Sequence, residues 1–316
     1  MADVTTLTVT TDFDNSIPEE VDNMITNIAP TDTPFISSIG QGGKVETKFF
    51  EWLEDTLSTP GSNALVEGQD VDAVVRVAPE LLDNRVQQLG DTFKISGDLD
   101  KTKKYGRTSE IEYQSGLVTK DIVNDLEWAA INSTKVTGTD AVAARMDGAF
   151  QFVDSTNLKN FGGVPASTNQ ITEVLINDVM QAMWEKGAKP DCLLAPPAQK
   201  RKISAFTQDG RITINSQAEA KKLTMVVDVF QGDFGTLRVL ASRYTEAYDD
   251  SGTDYDKVLI YEKGRANIAK FRAIERVELA MNGDARKFQC RMSKSLKVRS
   301  KKCFGSIELL TRVAAS

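Results

Sequence analysis

The chain has 316 residues, 41% of them hydrophobic, with 38 basic and 45 acidic side chains and a net charge of −7. That is enough length and apolar content for a substantial core, but no run of about 18 apolar residues is present to cross a membrane. Histidine is absent, which removes the usual base near neutral pH, the commonest zinc ligand and every Ser-His or Cys-His nucleophile.

The N-terminal stretch MADVTTLTVTTDFDNS is polar and acidic, with no apolar segment of the kind a signal peptide needs. SIPEEVDNMITNI (16–28) reads as a short helix, with Ser16 as N-cap and Glu19 closing a capping box. APTDTPFISSIGQGG follows, broken by Pro30, Pro34 and a glycine cluster that reads as a hinge. Residues 1–43 therefore form an arm without a core of its own. KVETKFFEW (44–52) alternates like a strand, and NRVQQLGDTFKISG (84–97) returns as another. Between them, residues 54–80 carry turn signals at Pro60-Gly61 and Gly68 and no helical period. Irregular excursions of that length are uncommon in compact domains unless they have a function, and a lone two-stranded projection is barely stable in water. Leu57, Leu65 and Val66 in this stretch, beside Glu67, Asp70 and Asp72, are expected to contact another chain.

A long helix is expected over 109–133, about 36 Å at 1.5 Å per residue, with Ser109 and Glu112 as its capping box. It carries two apolar stripes. Ile111, Ser115, Val118, Ile122, Leu126 and Ala129 lie on one line; Tyr113, Leu117, Trp128 and Ile131 lie on a second. A helix on one core needs a single stripe, so Trp128 and its neighbours call for a second cover. Residues 135–169 read as loop with short strands. Residues 170–270 read as an α/β module: a helix stopped at Gly187, the buried strand DCLLA, a second helix opened by Pro196-Pro197, a hairpin turning at 232–235, and the strand DKVLIYE. Residues 286–310 are long, alternating and β-rich.

Charge is uneven: residues 1–100 carry −14, residues 101–200 carry −1 and residues 201–316 carry +8. Such asymmetry suits an acidic segment lying on a basic partner, or a basic face for nucleic acid. The three cysteines, Cys192, Cys290 and Cys303, are distant and odd in number, which fits buried thiols in a reducing compartment. GQGGKVE lacks the spacing and the hydroxyl residue of a phosphate-binding loop, and no nucleophile elbow or dinucleotide fingerprint occurs. Asp254 and Asp256 offer carboxylates for a divalent cation, as in a metal-dependent transferase, though without a calcium-loop spacing. The basic stretch SKSLKVRSKK (293–302), with Lys297 and Arg299, offers a phosphate-binding strand.

The order of segments, with PTDTPF (30–35), ALVEGQD (64–70), RVQQLGDTFKISG (85–97) and GLVTKDIVNDLEWAAIN (116–132), resembles the major capsid proteins of tailed bacteriophages with the Hong Kong 97 fold. The similarity is greatest to the branch typified by phage SU-ten, and it spans about residues 14–310. It implies an α+β fold: an N-terminal arm (1–43), an extended β-hairpin loop (44–96), a peripheral domain (97–164 and 281–316) with its spine helix at 109–133, and an α/β axial domain (165–280). It also implies a structural subunit of the virion, made in the host bacterial cytoplasm and self-assembling through pentamers and hexamers into an icosahedral shell around double-stranded DNA. Portal, scaffold and decoration proteins are the further partners it suggests. The start at Met1, with no long helical leader, points to a separate scaffold or to none. No cofactor, metal or catalytic residue is implied. One stripe of the spine helix then faces its own sheet, and the other lies under a loop or arm of a neighbouring subunit.

Overall fold

The computed structural model describes residues 32–58, 60–62, 64–68, 70, 76–103, 109–166, 168–206, 229–247, 255–281 and 283–312. The helix expected over 16–28 lies outside them. In chain order the elements are α1 (Pro34–Ile39), β1 (Gln41–Lys44), β2 (Phe49–Glu54), β3 (Glu80–Arg85), β4 (Gln87–Ser96), α2 (Gly97–Lys101), α3 (Glu110–Asn132), β5 (Leu158–Lys159), α4 (Glu173–Glu185), β6 (Cys192–Ala195), α5 (Pro197–Ala205), β7 (Val229–Gly232), β8 (Gly235–Ala241), β9 (Glu246–Ala247), β10 (Tyr255–Tyr261), β11 (Ala266–Leu279), β12 (Ala285–Val298) and β13 (Phe304–Thr311). Three sheets result: a four-stranded one in the order β1-β11-β12-β4, a larger one in the order β5-β13-β10-β6-β8-β7 with β9 on β10, and the ribbon β2-β3.

The long helix forms where expected. Ser109 accepts the Glu112 N–H at 3.3 Å as its N-cap, while the Glu112 carboxylate takes Arg276 at 3.1 Å rather than closing the box. Val118, Ile122, Leu126 and Ala129 are buried and share one continuous core with Met292, Leu296 and the strands of the larger sheet. In the α/β module Ile176, Val179, Met180 and Met183 form the buried face of α4, and β6 is buried throughout. At Gly305 on β13 the α4 residues Val179 and Met183 come so close that a Cβ would collide with them. All three cysteines are buried and unpaired; burial pushes the Cys192 and Cys303 thiols up to about 11.

The structure departs from expectation in four places. Pro34 does not interrupt the chain but occupies the start of α1, where a missing N–H does no harm. The glycine cluster is strand rather than hinge: β1 pairs in parallel with β11, and a side chain at Gly42 would strike Asn267. The expected strand over 84–97 is two, parted at Val86; β3 completes the ribbon and β4 edges the four-stranded sheet. The 14-residue β11, unread in the sequence, pairs along β12, whereas β13 leaves β12 for the larger sheet. The strands at 285–312 thus serve both sheets.

Candidate assembly surface

The ribbon is built by alternation. Phe49 pairs with Arg85, Trp52 with Leu82, Leu53 with Leu81 and Glu54 with Glu80. Successive side chains face opposite ways, so Phe50, Trp52, Leu82 and Asn84 turn toward the body. Leu82 and Asn84 are buried; the Asn84 amide donates to the Leu296 carbonyl at 2.6 Å and to the Asp147 carbonyl at 3.2 Å, which pins the ribbon's root. Trp52 stacks on Phe50 and leans on Phe152. The other face presents Phe49, Leu53 and Leu81 to solvent.

Beyond the ribbon, the described residues between 55 and 79 are in neither helix nor strand. Leu57 is 90% exposed, Val66 74% and Leu65 57%, and Val77 stands in solvent as well. Glu67 and Asp70 are exposed too; Asp72 lies outside the described residues. Fully burying such side chains is worth about 1.5–3 kcal/mol each, so this row holds a large unrealised driving force.

The acidic ribbon meets the basic strand within one chain. Glu54 and Glu80 face each other across the ribbon, a repulsive pair that nearby cations offset. Lys302 lies 3.6 Å from Glu54, Ser300 donates to Glu54 at 2.7 Å, and Lys301 lies 3.1 Å from Glu80. Lys135 bridges to Asp83 at 2.9 Å. The Lys297 ammonium sits 5.6 Å over the Trp52 ring, a cation–π contact. Arg299 is exposed and donates its N–H to the Arg265 carbonyl at 2.8 Å. An open cleft of about 1080 Å³ brings Leu57, Lys297 and Arg299 together with Trp52 and the end of α4. It does not include Leu65, Val66 or Trp128. Of the basic side chains in 293–302, Lys297, Lys301 and Lys302 are therefore engaged with Trp52 and the ribbon's own acids, while Arg299 stays exposed.

Trp128 is 53% exposed, while Ile131 on the same stripe is buried and Tyr113 and Leu117 are half-covered. Of the carboxylate pair suggested for a metal, Asp256 is described and is committed elsewhere. Asp256 is buried, accepting from the Gln199 amide and the Arg312 guanidinium, each at 2.8 Å, so both oxygens are committed to tying down the C-terminal strand. Asp254 lies outside the described residues, and among the described residues no cluster of three or more Asp, Glu, Cys or His side chains could hold a metal ion. No helix among them is long and apolar enough to cross a membrane.

One buried group escaped sequence reasoning. Glu127 on α3 is fully buried, and its carboxylate accepts the N–H groups of Phe35 (2.7 Å) and Ile36 (2.8 Å) at the start of α1. Burial raises its pKa to about 7, against the lowering effect of those two hydrogen bonds. Ser38 and the buried Tyr261 hydroxyl share a hydrogen bond of 2.5 Å at the other end of α1. The root of the arm is thus clamped by the long helix on one side and β10 on the other.

Solved structures of shell subunits share this fold. The capsid of an empty gene transfer agent particle, solved with C5 symmetry, superposes with a TM-score of 0.65 at 13% identity, over 93% of this chain and 96% of that one. The encapsulin SrpI of Synechococcus elongatus PCC 7942 superposes at 0.62 and 11% identity, over 98% of each chain. The chain accordingly has a Hong Kong 97-like fold of mixed α and β content. Residues 4–311 match the SU10 major capsid protein family, and the chain belongs to that family. The major capsid protein of Escherichia phage Phieco32 is 26% identical over 326 residues, covering 88% of this chain and 90% of that protein.

Proposed function

We propose that this chain assembles through pentamers and hexamers into an icosahedral shell that encloses phage double-stranded DNA. In that shell, residues 97–164 and 281–316 act as the peripheral part and 165–280 as the axial part. The observation that carries the reading is the set of exposed apolar side chains, Phe49, Leu53 and Leu81 on the ribbon and Leu57, Leu65 and Val66 in the loop. Its cover comes from a neighbouring copy, which answers why so long an excursion leaves the body. The family's structural role and the commitment of Asp256 to Gln199 and Arg312 argue against a catalytic use of this site. Scaffold, portal and decoration proteins are the remaining partners in this picture. The test is to express the chain, image the product, and compare it with a variant lacking residues 57–68. Closed particles from the full chain and soluble, folded, unassembled subunits from the deletion are expected. Normal particles from the deletion would remove the loop from the interface, and a full chain that stays monomeric would remove the shell reading itself.

A further inference from the structure

Strand register places three lysines side by side. Lys44 on β1 is opposite Lys270 on β11, and Lys270 is opposite Lys294 on β12. Neighbouring strands lie about 4.8 Å apart, so the three lysines stand in one row across β1, β11 and β12, and by strand alternation Lys294 shares its side of β12 with Met292 and Leu296 of the core that includes α3. Lys44 and Lys270 are exposed and Lys294 is half-buried. Among the described residues none of the three has an ion pair. Burial, and then the charge of Lys270, holds the Lys294 pKa below its ordinary value. A row of like charges across adjacent strands is unfavourable as it stands.

The same face carries its complement. Asp121 and Asp125 are one helical turn apart on α3 and so share a side of it, and α3 packs on β4, where Asp91 stands. All three are exposed, and none has an ion pair among the described residues. The Asp125 pKa is raised by burial first, then by the charges of Asp121 and Asp91. Asp91 is opposite Cys290, four residues along β12 from Lys294, or about 13 Å at 3.3 Å per residue. That exceeds the screening length of roughly 8 Å at physiological salt, so Asp91 does not neutralise Lys294 within one subunit.

The geometry points to a subunit–subunit contact in which the lysine row Lys44–Lys270–Lys294 of one copy receives the Asp91, Asp121 and Asp125 cluster of another. The partner is a second copy because it brings three carboxylates onto three ammonium groups. A two-fold contact satisfies both clusters on both copies at once. This contact is separate from the apolar loop, and it rests on the reading of the chain as a self-assembling subunit.

The test is zero-length carbodiimide coupling of particles assembled from a mixture of ¹⁵N-labelled and unlabelled chains. Mass spectrometry should find mixed-isotope links from Lys44, Lys270 or Lys294 to Asp91, Asp121 or Asp125, and none in dispersed subunits. A Lys270→Glu, Lys294→Glu chain should assemble at least tenfold more slowly at 0.15 M salt with an unchanged subunit melting temperature. Adding Asp121→Lys and Asp125→Lys to the same chain should restore the rate. Lysines coupled instead to acids of residues 1–31, or shielded only when particles contain DNA, would overturn the contact in favour of the arm or of a phosphate backbone. Wild-type particles without these links refute this contact alone; wild-type chains that never assemble refute the shell reading beneath it.

Discussion

At Glu127 a single carboxylate decides how firmly the arm is rooted. Its partners are two backbone N–H groups rather than a cation. The titratable groups that feel its charge include Tyr244 and Tyr261, whose pKa values are raised by burial and, in smaller part, by Glu127. The folded pKa of about 7 lies above the ordinary glutamate value of 4.5, so the folded chain binds this proton more tightly than the unfolded one. The stabilisation linked to that proton is complete below pH about 4.5 and is lost as pH rises through about 7, with a slope of at most about 1.4 kcal/mol per pH unit. Dispersed subunits should therefore melt at lower temperature at pH 8 than at pH 5.5. In Glu127→Gln this part of the pH dependence should vanish, and the variant should be less stable at pH 5.5 by about 1–3 kcal/mol, because an amide has one carbonyl where two N–H groups need acceptors. A thermal-shift series in both proteins checks this; equal slopes would reject the assignment.

Among the elements, the span of the long helix was legible, because Ser109, the 3.6-residue period and the absence of Gly or Pro beyond Gly116 all agree, although the Glu112 carboxylate takes Arg276 instead of closing the capping box. Its second stripe was legible only as a question. The structure leaves Trp128 half in solvent while Ile131 is buried, so Trp128→Ala should lower subunit stability by less than about 1 kcal/mol. On the assembly reading it should nonetheless weaken particle formation, which light scattering and chemical denaturation measure separately. A large loss of subunit stability would place the indole in its own core instead. Glu127, one residue away, was illegible because a glutamate on a helix ordinarily marks the solvated face; its partners come from α1, 91 and 92 residues away in the chain. Strand β11 was missed for a related reason. Irregularities in its register between Lys270 and Arg272 and again before Glu275 break the period of two, and charges occupy both faces. The division of 84–97 into β3 and β4 was likewise invisible, since local pattern reports that a segment is extended but not which sheet it joins.

On the scale of the molecule, the charge asymmetry of the sequence has two destinations. Part is spent inside the subunit, where Glu54, Glu80 and Asp83 of the ribbon meet Lys302, Lys301 and Lys135. Those pairs join the ribbon to the body and, being partly exposed, contribute only about 0–1 kcal/mol each. Among the described residues a further part lies in the acidic loop that includes Asp70 and in exposed cations such as Arg299, which lines the same cleft as Leu57. An acidic extension approaching a basic body is drawn in by long-range attraction, which speeds encounter more than it strengthens the final contact. Reversing Asp70 and Asp72 to Lys should therefore slow assembly several-fold at low salt while leaving finished particles nearly as stable as wild type. The difference should shrink as salt shortens the screening length from about 10 Å at 0.1 M to about 3 Å at 1 M. Adding Lys297→Glu and Arg299→Glu should partly restore the rate if the loop of one copy approaches the cleft of another. Time-resolved light scattering across a salt series reads all three effects, and kinetics that neither respond to the reversal nor vary with salt would assign loop docking to the apolar row alone.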